Sequence, residues 1–155
     1  MKKFMLFPVL LILMNIHAWG GQEHLSGNIP RREATELKKG QILLVRNSFG
    51  VAAIEFTEFR ESEAQYRWKY LDRETKKESV GEGNVFENYE ETWTSETEVK
   101  ITDKGSQLWI QAGPFSIEWS YCSTDCGWLY LDSKKLNFVV LEKANFDSVD
   151  LYIYN

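Results

Sequence analysis

Histidine is what this sequence has least of: two in 155 residues, His17 and His24. An imidazole is the usual group for taking a proton near neutral pH, so Ser-His-Asp and Cys-His catalysis lack their base. Cysteine is as scarce, with only Cys122 and Cys126, and no histidine lies near them, so a His/Cys zinc site is not expected. Gly81-Glu82-Gly83 is the nearest approach to a phosphate-binding loop. It lacks the following Gly and Lys, and its carboxylate would repel a phosphate. No amphipathic stretch is long enough for a βαβ crossover, which excludes a parallel nucleotide-binding sheet. No cofactor is expected.

The one long apolar run is at the start. Lys2 and Lys3 precede Phe4 to Ile16, and Ala18-Trp19-Gly20 supplies small residues at the positions a signal peptidase reads. About 13 apolar residues fall short of the roughly 20 that span a bilayer. Residues 1–20 therefore read as a cleaved signal peptide, which predicts a secreted or periplasmic protein with no membrane attachment afterwards. Residues 21–155 would form one β domain.

Loss of residues 1–20 removes Lys2 and Lys3 and leaves 16 basic against 23 acidic groups, a net charge of -7. Five Trp and one histidine, His24, remain. An acidic surface repels phosphate backbones, so nucleic acid is a poor partner and a basic extracellular protein or a neutral glycan a better one. In an exported chain, Cys122 and Cys126 are expected to form a structural disulfide. A metal site would need two further ligands, and the redox motif has two intervening residues rather than three.

What is present in abundance is alternation. Ile42 to Arg46 and Val51 to Phe59 read as strands joined at Asn47-Ser48-Phe49-Gly50, with Gly50 expected to supply a positive φ. Tyr66, Trp68 and Tyr70 alternate with Arg67 and Lys69. Val99 and Ile101 alternate with Glu98 and Lys100. Phe115, Ile117, Trp119 and Tyr121 alternate with Ser116, Glu118 and Ser120. Further strands are expected over 108–112, 127–131, 136–141 and 149–154. Eight or nine short strands with frequent turns predict an all-β fold, an antiparallel sandwich or barrel. The Cys122–Cys126 link would pinch the turn of one hairpin. Arg31 to Lys39, followed by Gly40, has the character of a short N-terminal helix, with an edge strand as the competing reading. Asp72 to Ser95 is polar and carries Phe86, Tyr89 and Trp93; it reads either as a weak hairpin around Arg73-Glu74-Thr75 or as a functional loop.

Carboxylate chemistry is the one enzymatic class left, because glycoside hydrolysis needs only two acids across a groove. The candidates are Glu118 and Glu98, with Glu55 also on an outward strand face; an ordinary solvated glutamate is the simpler reading of each. Asp103, Asp125 and Asp132 lie in turns without a calcium-loop pattern. Trp68 and Trp119 share faces with Tyr66 and Phe115 and are expected in the core. Trp109 instead shares a face with Gln107 and Gln111, a pattern suited to sugar stacking or a protein contact. Tyr152 would extend that surface, and Trp93 would serve it from the polar stretch. The expected role is non-catalytic binding of a protein, as in inhibitors and immunity proteins. The alternatives are a carbohydrate-binding module or weak glycosidase, and a structural subunit whose 149–154 strand pairs between chains.

Overall fold

The computed structural model describes residues 32–132 and 134–155. The expected signal peptide and His24 lie outside them. Among the described residues eleven strands form antiparallel sheets in a sandwich-like all-β fold. In chain order they are β1 (Arg32–Lys38), β2 (Ile42–Arg46), β3 (Gly50–Arg60), β4 (Glu63–Asp72), β5 (Glu78–Phe86), β6 (Tyr89–Trp93), β7 (Val99–Asp103), β8 (Trp109–Ala112), β9 (Phe115–Ser123), β10 (Cys126–Asp132) and β11 (Asn137–Leu141). One sheet has the order β1-β10-β9-β8, a second the order β11-β2-β3-β4-β5, and β6-β7 stand apart as a two-stranded ribbon.

Period-two patterning explains the layering. Leu43, Val45, Ile54 and Phe56 from one sheet meet Ile110, Ile117, Trp119 and Leu129 from the other in the shared core. Three aromatics on β4 fill this layer because glycines stand opposite them. A Cβ at Gly83 would lie 2.6 Å from the Tyr66 hydroxyl oxygen, one at Gly81 2.6 Å from the Trp68 ring, and one at Gly113 2.6 Å from the Tyr70 ring. The glycine pair that failed as a phosphate loop is thus a packing device, with rings lying over edge-strand glycines.

The two sheets meet along one side. Phe86, ending β5, and Gln107, leading into β8, exchange two backbone hydrogen bonds of 2.9 Å. The Gln111 N–H, on the free edge of β8, donates to the Tyr66 hydroxyl at 3.1 Å. The Gln107 and Gln111 donors on that side are therefore satisfied.

Several expectations are corrected. The segment read as an N-terminal helix is strand β1, paired with β10 from Arg32↔Asp132 to Lys38↔Cys126. Its Ala34, Thr35 and Leu37 suit either state, and burial of Leu37 in the core decides it. Gly50 takes no positive φ; Gly40, Gly105 and Gly113 do. Gly50 is required because a Cβ there would lie 2.1 Å from the Leu71 carbonyl oxygen. The turn itself is closed by Asn47 Oδ1, which accepts from the Phe49 and Gly50 N–H groups. For Asp72 to Ser95, by contrast, the hairpin reading holds: β4 and β5 form a hairpin about Arg73–Lys77, capped by Asp72, and β6 follows.

The C-terminus differs most from its expected strand. Phe146–Ser148 and Leu151–Ile153 are single 3-10 turns. They strap across the outer face of the five-stranded sheet, where Phe146 and Leu151 bury against Ile42, Leu44, Val51, Ala53 and Leu71. Arg67 and Lys69 stand over the Phe146 ring, at 4.4 and 5.3 Å from its centroid. The Lys69 ammonium donates to the Val149 carbonyl. Two local bonds make the strap: Asn145 and Asp150 side chains cap the two turns by accepting from Asp147 and Tyr152 N–H groups.

Candidate binding face

The outward face of the four-stranded sheet gathers the polar and aromatic residues that alternate with the core. Register defines it. Trp109 pairs with Glu118, Glu118 with Tyr130, and Tyr130 with Ala34, so these four form one row across all four strands. The next row is Ser120, Trp128 and Glu36, and on the other side Gln111 pairs with Ser116. Directly opposed side chains on one face lie roughly 5 Å apart at Cβ, so Glu118 is flanked by an indole and a phenol.

Trp109 is 41% exposed, and Gln107 and Gln111 are exposed beside it. The polar groups are held in place: Gln111 Nε2 donates to Ser116 Oγ at 2.8 Å, Gln107 Nε2 to the Trp109 carbonyl at 3.3 Å, and the Ser120 and Tyr130 hydroxyls share a 3.3 Å bond. Trp119, on the opposite face of the same strand as Glu118, is fully buried as expected. Trp68 is partly buried against the core.

Cys122 and Cys126 are paired at disulfide distance, with 5.4 Å between Cα atoms, and close the β9–β10 turn. A Glu36 carboxylate oxygen lies within 4.8 Å of both sulfurs. Because the sulfurs are bonded to each other, that cluster offers one carboxylate rather than a set of metal ligands.

The other sequence candidates fall elsewhere. Tyr152 sits on the C-terminal strap, on the opposite side of the sandwich from Trp109, and its hydroxyl donates to the Lys76 carbonyl at 3.0 Å. It does not extend the Trp109 surface. Trp93 ends β6 and Glu98 immediately precedes β7, so both belong to the ribbon. Glu98 therefore lies at the tip of the ribbon, whereas Glu118 lies within β9 of the four-stranded sheet. Glu55 forms a 2.7 Å ion pair with Arg67 on the outer face of the five-stranded sheet. The turn aspartates serve the backbone: Asp103 Oδ1 accepts from the Gly105 and Ser106 N–H groups and from the Ser106 hydroxyl. These bonds hold its carboxyl below the ordinary range, the Ser106 N–H most of all.

Two grooves lie away from this face. One of about 310 Å³ is lined by Arg46, Phe138, Val139, Ile153 and Tyr154 among others. Another of about 350 Å³ is lined by Glu63, Tyr66, Arg67 and Glu82 among others. Neither is lined by Trp109 or Glu118.

Sequence reasoning missed Trp128, Tyr130 and Glu36 as members of the face. The signal was present, since Trp128 and Tyr130 alternate with Leu129 and Leu131. Only pairing to β9 and β1 shows that they lie beside Glu118. What the fold and the face define is a class: an antiparallel all-β sandwich with an open aromatic and carboxylate surface. The chain matches no family model, no curated protein and no solved structure.

Proposed function

We propose that this protein is an exported, non-catalytic binding protein whose partner is a basic protein. The observation that carries the reading is the row Trp109, Glu118, Tyr130 on an open sheet face, with Trp128 and Glu36 in the adjoining row. Exposed Trp109 and Trp128, with half-buried Tyr130, Glu118 and Glu36 beside them, offer apolar contact area and charge complementarity to a cationic surface. A net charge of -7 after removal of residues 1–20 steers the same class of partner. Export to a secreted or periplasmic location is part of the proposal, resting on the signal-like first twenty residues and the cysteine pair.

The test is capture from the extracellular or periplasmic fraction of producing cells, followed by titration of the purified partner over rising salt. A basic protein whose affinity falls with salt, and drops at least about tenfold with Trp109→Ala, supports the reading. Retention of neutral oligosaccharides alone, at salt-independent affinity, overturns it.

A second reading, glycan binding, is favoured by one observation: Trp109 stands exposed between Gln107 and Gln111. The glycosidase form of it has less support, because Glu98 lies at the ribbon tip and Glu118 within the four-stranded sheet, and neither of the two grooves is lined by both. The structural-subunit reading leaned on a free C-terminal strand, and residues 149–154 are instead folded against their own sheet.

A further inference from the structure

The β6–β7 ribbon is built differently from the rest of the molecule. Nine of its ten residues are exposed and Thr102 is half-buried. Side chains alternate across a ribbon, and the register pairs Tyr89 with Asp103, Glu91 with Ile101 and Trp93 with Val99. One face therefore carries Tyr89, Trp93, Ile101 and Val99, with Glu91 and Asp103 among them. Trp93 is 65% and Ile101 61% exposed. The opposite face carries Glu90, Thr92, Lys100 and Thr102.

The ribbon is nonetheless held firmly at its base. Glu87 Oε1 accepts from the Tyr121 N–H at 2.8 Å, which ties its first turn to β9. Asn88 N–H donates to Ser106 Oγ at 2.8 Å, and the Lys104 N–H donates to the Asn88 carbonyl at 2.7 Å. Lys104 is also paired with Glu90 at 2.6 Å. At the tip the Glu98 carbonyl accepts from the Thr94 N–H and hydroxyl. An anchored base and a closed tip hold out an apolar face that an isolated two-stranded ribbon would otherwise tend to lose.

Charge selects the occupant. From Glu78 to Glu98 the chain carries seven glutamates and no Lys or Arg. Five of them, at 87, 90, 91, 96 and 98, lie on or beside the ribbon. With Lys100, Asp103 and Lys104 included, residues 87–106 carry six acids against two lysines, a net charge of -4. Two ribbons therefore repel each other, so a second copy is a poor fit, and anionic surfaces are poorer still. We infer that the β6–β7 ribbon is a docking arm that lays its Tyr89/Trp93/Val99/Ile101 face into an apolar site rimmed by Lys and Arg on a basic protein. The inference rests on the proposed partner class and deepens it, adding a second contact region to the Trp109 face. Aromatic anchors supply contact area, and the glutamates at the rim set rate and salt dependence.

The experiment uses the protein labelled with 5-fluorotryptophan, in which each Trp gives its own fluorine resonance. The probe is an alternating Lys-Leu peptide, with the alternating Glu-Leu peptide of equal length as its control. The expected result is a shift of the Trp93 resonance with the Lys peptide and none with the Glu peptide. Trp93→Ala should weaken binding at least about tenfold. The pair Glu96→Gln and Glu98→Gln should weaken it about three- to tenfold and flatten its salt dependence. Both changes are on exposed residues, and the unshifted Trp119 resonance reports that the core is intact. Movement of the Trp109 and Trp128 resonances without Trp93 overturns the arm and leaves the partner class standing. No movement of any resonance overturns both. Equal response to the two peptides, or a Trp93 shift that grows with protein concentration alone, assigns the arm to an apolar or self contact and overturns the charge argument.

Discussion

Gly127 lies directly beneath the indole of Trp119: a Cβ at position 127 would stand 2.2 Å from Trp119 Nε1 and 3.4 Å from the Phe56 ring. Trp119 is fully buried, and its indole N–H has no acceptor among the described residues. The ring is thus held by shape alone, at a site where a buried donor already costs about 1–3 kcal/mol. Gly127→Ala is expected to destabilise the fold by about 1–3 kcal/mol or more, because the core must shift to admit one methyl group. Urea denaturation reads this directly. An unchanged midpoint would show that the Trp119 layer has slack.

The cysteine pair staples a short hairpin turn. Chain-entropy arguments give about 2 kcal/mol for so small a loop. The double change Cys122→Ser and Cys126→Ser should lower stability by about that amount and leave the β content by circular dichroism unchanged. A much larger loss would assign the pair a role beyond its turn, in the Glu36 neighbourhood it shares.

The C-terminal strap makes a sharp contrast between neighbours. Leu151 is fully buried against the five-stranded sheet, whereas Ile153 is exposed. Leu151→Ala should cost about 2–4 kcal/mol and Ile153→Ala less than about 0.5 kcal/mol. Equal, small effects would return residues 149–154 to the role of a detachable strand.

Acid sensitivity has an identifiable source in the β4–β5 turn. The Thr75 N–H, foremost, and then the Thr75 hydroxyl hold the Asp72 carboxyl below its ordinary range, helped by the Glu74 N–H and the Tyr70 hydroxyl. A carboxyl depressed in the folded state contributes stability above its unfolded value and loses it as pH falls through its folded value. Asp72→Asn keeps the Oδ1 acceptor but cannot titrate. The native protein should therefore lose stability more steeply than Asp72→Asn as pH falls below about 4, the unfolded carboxylate range. Parallel curves from thermal unfolding at a series of acid pH values would remove Asp72 from the account. On the alkaline side Tyr70 is raised, by burial first and by Asp72 second.

Much of this architecture was legible as alternation. The β3, β4 and β9 faces follow their residue patterns directly, because a one-residue slip would turn Phe56, Tyr66 or Trp119 out to water. Trp109 was legible for the same reason in reverse. The arm was less so: Val99 and Ile101 alternate as well as any core strand, yet both are exposed among the described residues. Alternation reports that a strand has two unlike faces and is silent on what meets the apolar one. The N-terminal strand was misread because Arg32 to Lys38 has residues fit for a helix, and its pairing with β10 is a contact about a hundred residues away.

By itself, the sequence determined the chemistry available and the fold class. One histidine beyond residue 20, two cysteines four positions apart and a surplus of acids are facts of composition, and period two is a local property of the chain. The tertiary structure decided which side chains become neighbours. Trp109, Glu118 and Tyr130 form a row only through the register of three strands, and Tyr152 leaves that surface because its strap finds a buried seat for Leu151 on the far sheet. Neighbourhood depends on long-range pairing, which burial of apolar area selects and no local pattern encodes.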